Sequence, residues 1–201
     1  MKLHRIEITN LNSLYGDQEI DLDADLAGAS LFLVQGPTGS GKSTIMDAIS
    51  LGLFGLTPRL GTLRSESAVA EQVMSRGTGV ARALVEFSKL EGGTRVRYRA
   101  AWKARRAREK ADGKMQATER SLERRGADGA WTVLVSDTRA KYWRPVFKEV
   151  LEGFTPQDFQ RSMLLAQGRF DAMLHAKPGE RAAILERLTD TGEYKALGER
   201  A

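Results

Sequence analysis

Leu31-Phe-Leu-Val-Gln-Gly-Pro-Thr-Gly-Ser-Gly-Lys-Ser43 is the stretch that decides how this chain is read. It opens on an apolar run, Leu-Phe-Leu-Val, stopped by Gly36-Pro37, the pattern of a strand buried on both faces of a mixed or parallel sheet. From Ser43 to Phe54, the residues Ile45, Met46, Ala48, Ile49, Leu51 and Leu53 cover nearly the whole circumference of a helix, which is therefore expected to be buried. Between the two, Gly36 to Ser43 match G-x-x-x-x-G-K-[ST] at every fixed position, in the strand–loop–helix context that the pattern requires. Glycines let successive backbone N–H groups turn inward, and the helix adds its positive N-terminal end. In such a loop Lys42 reaches the β- and γ-phosphates and Ser43 ligates Mg²⁺. The candidate phosphate site is thus Gly36, Pro37, Thr38, Gly39, Ser40, Gly41, Lys42, Ser43 and Thr44.

Hydrolysis needs a second acid at the end of another apolar strand, and a group to orient the attacking water. No such strand is evident. Val133-Leu-Val-Ser-Asp137 is interrupted by Ser136, lacks a following acid, and reads as a strand end with a capping Asp. A small GTPase is disfavoured, because no Asn-Lys-x-Asp segment exists and the one D-x-x-G, Asp25 to Gly28, precedes the loop. Arg105-Arg106 resembles the paired arginines of a nucleoside-kinase lid, but no acceptor site accompanies them.

Outward from the loop, residues 3–9 and 18–22 alternate around a turn-prone stretch from Asn10 to Asp17 and predict a hairpin. Gly55 to Gly79 carries one short helix near Ala68 to Met74. Arg82–Ser88 and Thr94–Trp102 flank Gly92-Gly93, and Gln116–Arg125 and Trp131–Val135 flank Gly126 to Gly129, giving an antiparallel meander over 81–136. From Asp137 the pattern turns helical, with Pro145 expected to open a turn that carries Phe147, Val150 and Leu151 before Gly153. Thr155-Pro-Gln-Asp158 starts one further helix and Pro178 another. Trp102, Trp131 and Trp143 lie on apolar faces and are read as core, and neither His4 nor His175 is given a catalytic role.

The chain has 201 residues, 41% hydrophobic and 28% charged, enough for one well-packed domain or for one domain plus an appendage. No long apolar run or leader stands out, so neither a membrane span nor secretion is expected, and the absence of cysteine excludes disulfides and thiolate zinc sites. A cytoplasmic setting is the expectation. The net charge of +5 is concentrated: between Arg95 and Arg125 twelve Lys or Arg stand against four acids, so the rest of the chain is acidic. Arg95, Arg97 and Arg99 leave one strand face about 6.8 Å apart, close to the spacing of successive phosphates. They can track a DNA backbone together with Lys103, Arg105 and Arg106, or form a solvated face paired with acids; both readings stay open.

Four blocks carry a family likeness: Ile8-Thr-Asn-Leu-Asn-Ser-Leu14, Gly36 to Ile49 running into Leu53-Phe-Gly-Leu-Thr-Pro-Arg-Leu60, Phe159-Gln-Arg-Ser-Met-Leu-Leu-Ala-Gln-Gly-Arg-Phe170, and Ala176 to Leu188 followed by Thr189. Through them the chain resembles the N-terminal half of the SbcC family, SMC-like bacterial ATPases that work with the nuclease SbcD. The resemblance implies an α/β fold, the N-terminal lobe of an ABC/SMC-type P-loop ATPase head, with a mixed sheet around the P-loop helix plus the antiparallel meander. It places the lobe at 1–192 and the start of a coiled-coil helix at 193–201. The cofactors implied are ATP and Mg²⁺. Lys42 and Gln167 become the catalytic pair, Gln167 sensing Mg²⁺ and water, while Asn12 and Ser13 approach the nucleotide in a turn where some relatives carry Arg at the place of Asn12. The missing acid would come from a C-terminal lobe of the same ATPase, so the isolated chain is expected to turn over ATP very poorly. A second head, an SbcD-type nuclease and double-stranded DNA are the other partners implied, and DNA-end processing the role. Two rivals stand beside it: another SMC-like or transporter-type head, and a binding module whose nucleotide is only structural.

Overall fold

The computed structural model describes residues 1–26, 33–60 and 65–162. The chain forms two compact units, Met1–Gly153 and Phe154–Ala201.

The first unit is built on one sheet. Strand β1 (Lys2–Leu11) turns through Asn12-Ser13 into β2 (Leu14–Asp21), so the predicted hairpin is present with longer strands and a tighter turn. Four more strands follow: β3 (Val80–Glu91), β4 (Thr94–Arg105), β5 (Glu119–Arg125) and β6 (Trp131–Asp137). Their order is β2-β1-β3-β4-β5-β6, and every pairing is antiparallel. The meander is therefore continuous with the N-terminal hairpin through the β1–β3 ladder.

The helices are α1 (Leu22–Leu26), α2 (Lys42–Phe54), α3 (Glu66–Val73) and α4 (Ala140–Val150). The α2 helix packs across β1, β3 and β4, and Gly52 permits the approach: a Cβ there would stand 2.7 Å from Val85 Cγ2 and 3.3 Å from the Ala100 carbonyl. Its predicted all-round burial is present in Ala48, Ile49, Leu51 and Leu53. Beneath it, Val85, Phe87, Tyr98, Ala100, Trp102 and Leu122 form the inner face of the sheet. Ser65 caps α3 by accepting from the Ala68 amide.

Three expectations are corrected. The mixed sheet is wholly antiparallel among the described residues, and residues 33–35 form no strand; Leu33 is 81% and Val34 38% exposed. An apolar run becomes a buried strand only when ladder partners and covering layers exist on both sides, and the described chain supplies neither here. Pro145 lies inside α4 rather than at its start, because Asp137 accepts from the Arg139 amide at 2.7 Å and lets the helix begin at Ala140. The position is exposed, so the carbonyl deprived of its partner by Pro145 can turn to water. Trp102 and Trp143 are core, but Trp131 is half-buried, its ring covered by the Arg99 guanidinium 4.0 Å away. The β5–β6 ladder shifts register between Leu122 and Glu123 of β5, a bulge that blunts the edge strand β6, whose Val133 and Leu134 are exposed.

In the second unit, α5 (Pro156–Ser162) starts as its sequence predicts: Thr155 Oγ1 accepts from the Asp158 amide at 3.1 Å while the Asp158 carboxylate accepts from the Thr155 amide at 3.1 Å. The Pro178 helix, the coiled-coil start at 193–201 and Gln167 lie outside the described residues. Among the described residues no helix is long and apolar enough to cross a membrane.

Candidate nucleotide site

The glycine loop ends where α2 begins, and its conformation follows from its residues. Gly39 and Gly41 take φ of 85° and 92°, in the left-handed region that glycine adopts without a Cβ penalty. A Cβ at Gly39 would meet nothing within 4 Å, whereas one at Gly41 would stand 2.6 Å from Leu14 Cδ2 and 3.4 Å from Ser13 Oγ. The N-terminal turn thus packs against the base of the loop. Gly41 caps α2 without a side-chain acceptor, and its carbonyl takes the Thr44 and Ile45 amides at 2.9 and 3.2 Å. The Lys42 and Ser43 amides have no protein acceptor among the described residues, which leaves an uncapped helix start facing an exposed loop.

Lys42 Nζ donates to the Gly36 and Pro37 carbonyls at 2.7 and 2.8 Å, so its ammonium already lies inside the curl of the loop. These features fit a triphosphate: free amides at a helix start, one ammonium, and an open left-handed glycine. Ser43 is exposed at the same helix start and presents a hydroxyl suited to Mg²⁺, an ion that takes few protein ligands and shares its shell with phosphate and water. No cluster of three or more His, Asp or Glu able to hold a metal exists among the described residues.

Asn12 and Ser13 divide. Ser13 faces the loop, while Asn12, at φ 50°, donates from Nδ2 to Asp47 Oδ2 at 3.2 Å and from its amide to the Val73 carbonyl at 2.7 Å. Asp47 is buried in α2 one turn beyond Ser43, and also accepts from Thr57 Oγ1 and from Arg59 Nη2 at 2.6 Å. Sequence reasoning missed this carboxylate, although an acid in a helix otherwise apolar on nearly every side was a visible signal. Asp137 is committed to Arg139, whose guanidinium, foremost, holds the carboxyl down to about 2.

Arg95, Arg97 and Arg99 share the outer face, as their alternation predicts. Arg97 pairs with Glu86 at 2.9 Å and Asp23 at 2.8 Å, Arg99 with Glu86 at 3.1 Å, and Arg95 donates to Ser88 Oγ at 3.1 Å. His4 is buried beside them, hydrogen-bonded to Asp23 and Ser88, and Asp23 is held far below the usual carboxylate range, first by His4 and then by Lys2 and Arg97. Ser88 is fully buried in β3, so this Ser–His–Asp grouping presents no nucleophile to solvent. Lys103 and Arg106 are half-buried, the latter donating to the Gly113 carbonyl at 3.1 Å, and Arg105 is exposed, as are Arg108, Lys110 and Lys114 beyond it. None of these six is in an ion pair among the described residues.

The family model described as an AAA domain matches residues 5–197. The SbcC component of the nuclease SbcCD from Pseudomonas aeruginosa is 39% identical over all of this chain, which spans 17% of that protein; its Rhodobacter capsulatus counterpart is 41% identical, again over all of this chain, with 16% spanned. A probable DNA double-strand break repair Rad50 ATPase of Aquifex aeolicus is 29% identical over 88% of the chain and 16% of its own length. Among solved structures, one from work on ATP-driven dimerization and DNA stimulated activation of SMC ATPases superposes with a TM-score of 0.51 at 17% identity, covering 94% of this chain and 99% of that one. The fold is thus that of the N-terminal lobe of an SMC-type ATPase head. A matched phosphate loop, that lobe and these relatives lead to one assignment: the chain belongs to the AAA domain family of ATPases, and corresponds there to the N-terminal part of SbcC.

Proposed function

We propose that this chain is the ATP-binding N-terminal lobe of a DNA-end processing ATPase that dimerises on ATP and regulates a partner nuclease in the cytoplasm. The observation that carries this reading is the uncapped start of α2, with Lys42 Nζ already curled into an exposed glycine loop. In this reading the amides from Gly39 to Ser43 and the Lys42 ammonium hold the β- and γ-phosphates, Ser13 closes one side, and Ser43 with Gln167 contacts the metal. When bound, Mg²⁺ would neutralise phosphate charge. Asp47 orients Asn12 and the turn that carries Ser13.

The isolated chain is proposed to be nearly inactive. Asp47, inside α2, and Asp137, at the end of β6, are spent on Arg59 and Arg139, and the exposed Leu33-Val34 segment is an apolar surface suited to strands of a C-terminal lobe. The domain limits 1–192 and 193–201 belong to the same proposal. So do the second head, an SbcD-type nuclease and double-stranded DNA as partners, the DNA held by the basic segment that includes Arg95, Arg97, Arg99, Lys103, Arg105 and Arg106. The rival reading of a purely structural nucleotide is separated by Lys42→Ala.

The test is co-expression with the C-terminal half, followed by nucleotide-dependent mass and DNA-stimulated phosphate release. Turnover that appears only on co-expression and is lost in Lys42→Ala is the expected result. Vigorous turnover by the 201 residues alone, or head pairing indifferent to a γ-phosphate analogue, would refute the proposal.

A further inference from the structure

Arg120 is, among the described residues, the only lysine or arginine that is fully buried. It leaves β5 toward the inner face, donates from Nη2 to the Gly52 carbonyl in the last turn of α2 at 2.8 Å, and lies 4.4 and 5.0 Å from the ring centres of Phe147 and Trp143 on α4. Its Nε and Nη1 have no hydrogen-bond partner among the described residues, and burial pushes the guanidinium down to about 10. A buried cation with two idle donors is costly and calls for an explanation beyond packing.

The acid that acts on it is Glu66, the first residue of α3. The two face each other across Gly55: a Cβ there would lie 2.2 Å from Arg120 Nη1 and 2.9 Å from Glu66 Oε1. They make no ion pair, since Glu66 Oε2 accepts instead from Thr118 Oγ1 at 2.6 Å. At its other end α3 holds the N-terminal turn, through the Val73 carbonyl on the Asn12 amide and the Leu11–Met74 bridge. That turn is the one packed on Gly41. Helices α2 and α3 therefore run between the same two places, the base of the phosphate loop and the surroundings of Arg120.

We propose that Glu66 and Arg120 form a relay through which occupancy of the phosphate loop is felt by α4. A shift of the Asn12–Ser13 turn moves α3, Glu66 exchanges Thr118 for Arg120, and the guanidinium changes its seat on Trp143 and Phe147. The carboxylate with two alternative partners is the two-state element that such coupling requires. Arg120 is thus a positioning residue, and the inference rests on the reading that the loop binds a nucleoside triphosphate.

The test labels the tryptophans of the chain with 5-fluorotryptophan and assigns their three ¹⁹F resonances by single Trp→Phe variants. With Mg²⁺ and a non-cleavable ATP analogue, binding is measured by calorimetry and the resonances are followed in the same samples. The expected result is a shift of the Trp143 resonance while that of Trp131, on the outer face, stays put. In Glu66→Gln and Arg120→Met the shift is lost while affinity stays within about threefold of the parent chain. Glu66 is half-buried, so its variant keeps the test alive should Arg120→Met not fold. Binding without a Trp143 shift, or an equal shift in both variants, would overturn the relay alone. No binding at all would remove the reading beneath it, and the relay with it.

Discussion

The two faces of the sheet use the same residue types for opposite purposes. On the inner face Arg120 stands between α2 and the rings of α4 with no paired acid among the described residues, and Trp102 is wholly enclosed. On the outer face Arg97 and Arg99 converge on the buried carboxylate of Glu86, and Arg99 covers the ring of Trp131. Arginine is desolvated on both sides, yet burial wins for Arg120, whereas for Arg97 the hydrogen bonds of Glu86 and Asp23 outweigh it and raise the guanidinium. The difference shows that here stability depends on whether a partner is fixed within reach, not on residue type or depth alone.

The comparison is sharpest at the inner face. Trp102→Ala should cost about 3–5 kcal/mol in urea denaturation, since the ring is fully enclosed under α2. Trp102→Phe should cost far less, because the indole Nε1 has no hydrogen-bond partner to lose among the described residues. An alanine cost below about 1.5 kcal/mol would mean that the inner face is not the core. Next comes Glu86→Ala on the outer face, expected to cost about 3 kcal/mol, because it strips Arg97 and Arg99 of a carboxylate only 6% exposed. Glu86→Leu should cost no less: the two guanidinium groups remain.

A smaller effect is expected at Asp23, whose carboxylate binds His4, Lys2 and Arg97. Its pKa is depressed on folding, so its contribution is complete above the unfolded carboxylate value near 4 and fades as the pH falls through the folded value below it. Asp23→Asn should lower stability by about 1–2 kcal/mol at pH 7, a figure reduced for the partial exposure of the group, and should flatten the acid limb of the stability curve. Parallel acid limbs in the two proteins would show that this network does not act as the distances suggest.

Much of this contrast was legible beforehand. Arg95, Arg97 and Arg99 on one strand face, with Trp102 read as core, assigned both faces of β4, and the apolar circumference of α2 gave its burial. The phosphate loop was readable because its chemistry is local to eight residues. What escaped depends on partners distant in sequence. Leu31 to Val34 reads as a strand from composition, but a ladder needs neighbours, and residues 33–35 have none among the described residues. Arg120 shares a strand face with Leu122, but the strand pattern alone does not say that an arginine there is enclosed; its contacts with Gly52 of α2 and with the rings of α4 make it buried. Trp131 reads as core because a strand pattern cannot say that what covers a face is two arginine side chains, Arg99 and Arg125. Nothing near Asp47 announced Thr57 and Arg59 as partners ten and twelve residues on.

The weakest contact that still separates the faces is Arg99 on Trp131. At 4.0 Å between guanidinium carbon and ring centre, with both groups half-buried, a cation–π coupling of about 0.5–1 kcal/mol is expected. A double-mutant cycle with Arg99→Met and Trp131→Leu isolates it, and should be repeated after Glu86→Gln. If the guanidinium is held in place chiefly by the carboxylate, its coupling to the ring shrinks once that anchor is weakened, and the outer face behaves as one cooperative layer. If the coupling is unchanged, ring and acid act on Arg99 independently. The outer face would then be a set of separate pairs rather than the counterpart of the inner core.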